Sequence, residues 1–232
     1  MDLPSGRKYL ATDEWILRRM LECGVICRKD TPFKLKSGIM SHVYVFGRND
    51  LTENPNLLRE IGLKICRCLV PYLDGKRHHC LIGIPTAGDS LACAASLMST
   101  VHADEMGYCR SMVLYRKMRE VKKQHGAHQT WVDGKPTPDK HIYWKVDNVA
   151  TDGASKLEAD QKMIEDGYPP RTPCFILIDR QQGAVKRLEE AGFPTVVAYN
   201  LLDITYAYGE WGLWPKDTVK AVKDEIDAHQ FK

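Results

Sequence analysis

Five short apolar runs, most of them followed by a helical stretch, constrain this chain more than any other feature. They lie at residues 80–85, 111–115, 142–146, 174–178 and 194–199. Continuous apolar runs of this length are typical of strands buried on both faces, and their alternation with helices predicts a mostly parallel sheet flanked by helices. In such an α/β fold, ligands bind at the carboxyl ends of the strands, so we expect the chemistry in the loops that follow them.

Length and composition predict a single domain over residues 1–232. The hydrophobic share of 44% and charged share of 27% are those of an ordinary globular protein. No apolar stretch approaches a membrane span or a signal core, so we expect a cytoplasmic protein without a membrane partner. The eight cysteines form no CxxC pair, and this spacing favours free thiols over disulfides or a zinc site.

The stretch Val146-Asp147-Asn148-Val149-Ala150-Thr151-Asp152-Gly153-Ala154-Ser155 carries the strongest chemical signal. It reads as a strand that ends on an acid, a short loop of small and hydroxyl residues, and the start of a helix. The free amides of a helix N-terminus attract anions, and small residues let a phosphate approach the backbone. The alternative is that Thr151, Asp152 or Ser155 only caps the helix.

A polar segment at residues 116–140 is longer than an ordinary connection and has little apolar periodicity, which predicts a mobile or functional loop. The chain around its start is basic, with Glu120 the only acid that counters six cations, namely Arg110, Arg116, Lys117, Arg119, Lys122 and Lys123. The alternatives are a solvated loop or a nucleic-acid patch. Nucleic acid is not the expected partner, because the net charge of the chain is only +3.

Four motifs in order resemble the orotate phosphoribosyltransferases, which are type I phosphoribosyltransferases. They are Phe33-Lys34-Leu35-Lys36-Ser37-Gly38, Gly83-Ile84-Pro85-Thr86-Ala87-Gly88, the 147–155 stretch, and Ile178-Asp179-Arg180-Gln181-Gln182-Gly183. Arg116-Lys117 and Lys123-Gln124-His125-Gly126 are similar to the mobile catalytic loop of that family. The resemblance spans most of residues 10–205. It implies the type I fold, with a small N-terminal hood over about residues 1–50 and the mobile loop over about 116–140.

The resemblance also implies a reaction. Phosphoribose would pass from 5-phosphoribosyl 1-pyrophosphate (PRPP) to orotate, giving orotidine monophosphate and pyrophosphate in pyrimidine nucleotide biosynthesis. Magnesium would be held through the substrate and not by a direct protein ligand, with Asp147 the one residue that could also contact it. Cations closing over the pyrophosphate would stabilise the charge that it gathers in the transition state. Because the family's loop reaches into the neighbouring subunit, a homodimer with shared active sites is implied.

Site residues follow from position in the motifs. Catalysis is assigned to Asp147, Arg116, Lys117, Lys123 and His125. Base binding is assigned to Tyr44, Thr151 and Arg180, where an arginine suits the carboxylate of orotate. The alternative for Arg180 is a salt bridge with Asp179 or Glu189. PRPP binding is assigned to Lys36, Asn148, Val149, Ala150, Thr151, Asp152, Gly153, Ala154 and Ser155.

Two residues depart from the family pattern. Asn148 stands where the family has the second of two adjacent acids, and Asp152 adds a negative charge inside the phosphate loop. The Asp152 carboxylate either repels the substrate phosphate or turns away and favours the helix dipole. These substitutions leave two functions open: an active orotate phosphoribosyltransferase, and a non-catalytic or altered-specificity paralogue that binds PRPP or a nucleotide.

Overall fold

A five-stranded sheet forms the centre of the fold in the computed structural model, and a two-stranded ribbon lies apart from it. The structure describes residues 1–35, 38–45, 49–101, 103, 112–122 and 130–231. In chain order the elements are α1 (Ala11–Glu22), β1 (Ile26–Lys34), β2 (Met40–Val45), α2 (Asn49–Thr52), α3 (Pro55–Leu69), β3 (His78–Gly83), α4 (Ala87–Val101), β4 (Val113–Lys117), β5 (His141–Ala150), α5 (Ala154–Glu165), β6 (Cys174–Asp179), α6 (Ala184–Glu190), β7 (Thr195–Asn200), α7 (Leu201–Glu210) and α8 (Lys216–Ala228).

The strand order of the central sheet is β4-β3-β5-β6-β7, and every neighbouring pair is parallel. Each of the five apolar runs therefore contributes a strand, and the predicted α/β fold is confirmed. The chain passes outward from β3 to β4 and then returns to the other side of β3 to form β5. This reversal creates a crevice between the carboxyl ends of β3 and β5, which is where α/β sheets bind ligands.

Helices cover both faces of the sheet, as the apolar patterns predict. On one face, α3 and α4 bury Leu57, Ile61 and Leu91 in the largest apolar cluster. On the other face, Ala159 and Met163 of α5 pack in a second cluster with residues of β3 and β5. Within the described residues, no helix has the length and apolar character needed to cross a membrane.

The turn between β3 and α4 needs two glycines because backbone passes close to them. A Cβ on Gly88 would lie 2.1 Å from the carbonyl oxygen of Val146, and one on Gly83 would lie 2.4 Å from Cα of Asp89. Both distances are well inside van der Waals contact. The glycines of the 83–88 motif thus let the start of α4 pack against β3 and β5 at the edge of the crevice.

The ribbon of β1 and β2 lies in the region predicted as the hood. Its strands are antiparallel, with Cys27 opposite Tyr44 and a register irregularity between Arg28 and Phe33. The Arg180 guanidinium, which follows β6, donates to the carbonyl of Val43 at 3.0 Å and connects the ribbon to the central sheet. The ribbon therefore forms one wall of the crevice.

Candidate active site

A cleft of about 430 Å³ opens at the carboxyl ends of β3 and β5. Its walls come from the ribbon, from the turn after β3, and from the junction of β5 and α5. The lining residues are Lys34, Leu35, Tyr44, Val45, Ile84, Pro85, Asp147, Val149, Thr151, Asp152, Ala154, Ser155, Lys156 and Arg180. Residues from all four sequence motifs therefore meet at one place.

The junction of β5 and α5 forms the tight turn that an anion cradle needs. Gly153 takes a left-handed conformation, with φ of 78°, and α5 begins at the next residue. One prediction is wrong in detail, because β5 does not end at Asp147 but continues to Ala150. The three added residues extend beyond the end of β3 at Gly83 and pair with β6 alone. Asp147 consequently lies at the point where β5 loses β3 as its neighbour.

The amides of the turn are partly occupied by the protein itself. The Asp152 carboxylate accepts the Ala154 amide at 3.1 Å, while the Asp152 carbonyl accepts from the Arg187 guanidinium at 3.0 Å. The amide of Ser155 has no acceptor in the described part of the chain. Asp152 thus turns onto the helix N-terminus, as the capping alternative predicts, and occupies a donor that a phosphate in this cradle would need.

Asp147 is buried, and both of its carboxylate oxygens have a partner within the chain. Its carboxylate accepts the Lys156 ammonium at 2.6 Å and the Asn148 amide at 2.8 Å, and the Ser155 hydroxyl lies 3.5 Å away. Asp147 is 8% exposed and Lys156 3% exposed, so the pair is shielded from most of the solvent. The carboxylate is therefore held in one orientation at the floor of the cleft.

Successive side chains of β5 point to opposite faces of the sheet, and this alternation decides which of the remaining motif residues line the cleft. Asp147 and Val149 line the cleft, whereas Asn148 and Ala150 do not. The Ala150 side chain is buried in an apolar cluster with Ala184 and Leu188 of α6. Gly153 also lies outside the lining, where its positive φ shapes the turn. The structure thus brings Thr151, Asp152, Ala154 and Ser155 to the cleft, but not Asn148, Ala150 or Gly153.

The base end of the cleft contains Tyr44 and Arg180. The Tyr44 ring packs on Phe33 with 4.9 Å between centroids. Arg180 is 2% exposed and forms an ion pair with Glu225 of α8 at 2.8 Å, so its predicted alternative partners, Asp179 and Glu189, are wrong. Burial lowers the pKa of the guanidinium, although Glu225 opposes that shift.

Arg180 also donates to the Ser41 hydroxyl at 2.8 Å, and its Nε is buried with no partner among the described residues. The guanidinium therefore fastens the ribbon and α8 to the sheet beside the cleft. An orotate carboxylate would meet a guanidinium whose charge Glu225 already balances.

Arg116 and Lys117 lie outside the cleft, at the end of β4. The Arg116 guanidinium donates to the Lys135 carbonyl at 2.8 Å and the Tyr168 hydroxyl at 2.7 Å. The Lys117 ammonium lies 3.6 Å from the Asp89 carboxylate. The structure thus does not bring either cation to the other predicted site residues of the same chain.

The predicted mobile loop is structured at its ends. Residues 113–117 form β4, and Met118 pairs with Val132 in an isolated antiparallel bridge in which both side chains are buried. The sequence does not predict this bridge, because Met118 and Val132 are too far apart in sequence for a local pattern to join them. Lys36, Lys123 and His125 lie outside the described residues.

The groups at the end of β5 do not fit a directly bound magnesium ion. Magnesium needs carboxylate or other oxygen ligands in near-octahedral geometry. The Asp147 oxygens accept from Lys156 and Asn148, and an Asp152 oxygen accepts from Ala154. Among the described residues, no group of three or more His, Cys, Asp or Glu side chains is placed to hold a metal. A direct contact between magnesium and Asp147, the one that the resemblance leaves open, does not fit this arrangement.

Lys156 is the functional residue that sequence reasoning missed. It lies on the buried side of α5 with Ala159 and Met163, three and seven residues further on. A lysine at a position where helical periodicity predicts an apolar residue is a signal that a buried acid lies nearby. Lys34 and Leu35 also line the cleft and were not predicted as site residues, although they belong to the first motif.

Comparisons with known proteins agree with the geometry. No protein-family model matches the chain. The orotate phosphoribosyltransferase of Aeropyrum pernix is 30% identical over 195 residues, covering 82% of this chain and 90% of its own length. That of Nostoc sp. is 25% identical over 199 residues, covering 84% of this chain and 89% of its own length. The uridine 5'-monophosphate synthase of Caenorhabditis elegans is 27% identical over 192 residues, covering 82% of this chain and 34% of the worm protein.

Solved structures share the fold. The UMP synthase of Leishmania donovani superposes with a TM-score of 0.72 at 18% identity, over 92% of this chain and 42% of that protein. The orotate phosphoribosyltransferase of Francisella tularensis gives a TM-score of 0.67 at 18% identity, over 93% and 99% of the two chains. The A. pernix structure gives 0.60 at 21% identity, over 84% and 99%. By its fold, its cleft and its identity to the A. pernix enzyme, this chain belongs to the orotate phosphoribosyltransferase family.

Proposed function

We propose that this chain is a phosphoribosyltransferase that transfers phosphoribose from PRPP to orotate, forming orotidine monophosphate and pyrophosphate. One observation carries the proposal: the turn from Thr151 to Ser155 opens onto the same cleft as Asp147 and Arg180. A phosphate cradle, a sugar-binding acid and a cation for the base are thus arranged along one cavity. The relatives named orotate phosphoribosyltransferase support the same assignment.

The sugar phosphate is proposed to bind at the N-terminus of α5. The Ser155 amide and hydroxyl and the Thr151 hydroxyl supply donors, and the helix dipole favours the negative charge. Asp147, held by Lys156, accepts hydrogen bonds from the ribose hydroxyls beside that phosphate. Positioning of this kind lowers the barrier without a covalent nucleophile, because the reacting carbon and base are brought together in fixed orientation.

The base is proposed to bind between Tyr44 and Arg180. Tyr44 offers an aromatic face for stacking, and Arg180 offers a cation at the wall formed by the ribbon. Thr151 lies at the boundary between the phosphate and base ends of the cleft. Orotate is the proposed base because the relatives that cover most of this chain are named orotate phosphoribosyltransferase.

Pyrophosphate release is proposed to depend on a neighbouring subunit. Arg116 and Lys117 lie outside the cleft of their own chain, which agrees with a homodimer in which the segment from Arg116 to His125 completes the partner's site. Magnesium is proposed to enter as part of the PRPP substrate and not as a resident cofactor. The cytoplasm is the proposed location of this assembly.

The test is consumption of orotate with PRPP and magnesium, run beside a calorimetric titration of PRPP alone. We expect turnover by the wild type and a large loss in Asp147→Asn. Asp74→Asn is the matched control, since Asp74 also pairs with a cation, Arg77 at 2.8 Å, and precedes β3 outside the cleft. PRPP binding without turnover would instead favour the non-catalytic paralogue, and absence of both would refute the proposal.

A further inference from the structure

Lys156 is a buried cation in the floor of the cleft. Its ammonium donates to the Asp147 carboxylate at 2.6 Å, the Val149 carbonyl at 2.5 Å and the Ser155 hydroxyl at 3.3 Å. An ammonium has three donors, and three acceptors surround this one. The side chain is therefore fixed, and it acts on a ligand through its charge and through Asp147 and not by a direct hydrogen bond.

The charges at the end of β5 cancel. Asp147 carries one negative charge, Lys156 one positive charge, and Asn148 is neutral, so these three side chains sum to zero. The acid pair that the family pattern places at Asp147 and Asn148 would carry two negative charges and would repel a sugar phosphate unless a cation stood between them. Here the cation belongs to the protein.

We infer that Lys156 is a positioning residue that makes the affinity of the cleft for a sugar phosphate largely independent of magnesium. The inference rests on the proposed function, since it concerns the same PRPP site. Lys156 balances the Asp147 charge and fixes the carboxylate toward the ribose hydroxyls. A divalent cation is then not needed to offset repulsion between the Asp147 carboxylate and the ligand.

The expected size of the effect follows from the charge removed. One charge about 6 Å from a phosphate, at an effective dielectric of 20 to 80, changes affinity on the order of threefold to a hundredfold. Loss of the Lys156 charge should therefore weaken PRPP binding by about tenfold when magnesium is absent. Added magnesium should restore most of that loss, because the metal then supplies the missing positive charge.

The experiment is a calorimetric titration of PRPP in EDTA and in excess magnesium, with wild type and Lys156→Met. Binding of magnesium to free PRPP is the same for every variant. A difference between variants in the ratio of the PRPP affinity in magnesium to that in EDTA therefore arises from the protein. Lys145→Met is the matched control: Lys145 is another buried lysine of this junction, 0% exposed, and it pairs with Asp160 at 2.8 Å outside the cleft. It reproduces the loss of a buried ion pair without changing the charge of the site.

For the wild type and for Lys145→Met, we expect the PRPP affinity to differ by less than about threefold between the two buffers. For Lys156→Met, we expect the two affinities to differ by about tenfold or more. If Lys156→Met does not fold, Lys156→Gln removes the same charge while keeping a donor for Asp147, and Lys156→Arg should return the ratio to the wild-type value. A wild-type affinity that depends strongly on magnesium, with an unchanged ratio in Lys156→Met or Lys156→Gln, would overturn the inference alone. A wild type that binds PRPP in neither buffer would overturn the proposed function as well.

Discussion

Asp152→Asn should increase the affinity of the cleft for a sugar phosphate. The Asp152 carboxylate lines the cleft and accepts the Ala154 amide at 3.1 Å, so it presents a negative charge to any anion that binds the same turn. Asparagine keeps an oxygen that can accept this amide and removes the charge. The change therefore separates electrostatic repulsion from helix capping, because the capping group is preserved.

The magnitude follows from the geometry of the turn. A phosphate bound at the Ser155 amide would lie about 5 Å from the carboxylate, and one pair of like charges at that distance costs on the order of 1 to 3 kcal/mol at a dielectric of 20 to 80. Removal of the charge should therefore raise affinity roughly tenfold to a hundredfold. The gain should shrink as salt is added, because the cleft is open to screening ions.

The assay is a calorimetric titration of ribose 5-phosphate, which carries the sugar phosphate without pyrophosphate. Asp217→Asn is the matched control, since Asp217 also lies in the first turn of a helix, α8, outside the cleft. Thermal unfolding should show less than about 1 kcal/mol of difference between Asp152→Asn and the wild type. Equal or weaker binding by Asp152→Asn, with the fold intact, would refute the electrostatic reasoning.

Three further predictions concern the scaffold around the cleft. Gly88→Ala should destabilise the protein by at least about 2 kcal/mol in guanidinium unfolding, because the new Cβ would lie 2.1 Å from the Val146 carbonyl oxygen; wild-type stability would contradict that packing. Burial lowers the pKa of His79 from its ordinary value of 6.5, so below that pH the unfolded state binds more protons than the folded state. The free energy of unfolding should therefore be highest above pH 6.5 and decrease as the pH drops through the pKa of the folded state. His79→Phe should flatten this pH dependence, and an unchanged pH dependence would refute the prediction. Glu225→Gln should cost about 3 kcal/mol in the same unfolding assay, because it leaves the buried Arg180 guanidinium without its counter-charge, and a neutral effect would show that the pair contributes little.

The sequence predicts the framework of the fold well because the framework depends on local patterns. The strands β3 to β7 appear as apolar runs, and Pro55, a residue type favoured at the first helical position, begins α3. The end of β5 is missed because Asp147 and Asn148 interrupt the apolar pattern, while backbone pairing with β6 continues to Ala150. Backbone hydrogen bonds extend a strand past the point where its side chains stop indicating one.

The candidate site is predicted only where its residues are consecutive in sequence. The turn from Thr151 to Ser155 is identified from its composition, but the partners of its neighbours are not. The position of Lys156 in the helical periodicity of α5 suggests a buried acid nearby, but only the fold identifies that acid as Asp147, nine residues earlier. The partner of Arg180 is Glu225, which is 45 residues away in sequence and adjacent only after α8 packs on the ribbon. Long-range ion pairs of this kind have no local signal.

The most direct test of the account is an amide-resolved NMR titration with ribose 5-phosphate. In the proposed site the sugar phosphate binds at the N-terminus of α5, with the Ser155 amide among its donors. We expect the Ser155 resonance to shift most, and those of its neighbours Gly153 and Ala154 to shift and saturate with it, with smaller shifts at Val149 and Tyr44 across the cleft. Saturable shifts confined to other parts of the chain, with these three amides unchanged, would contradict it.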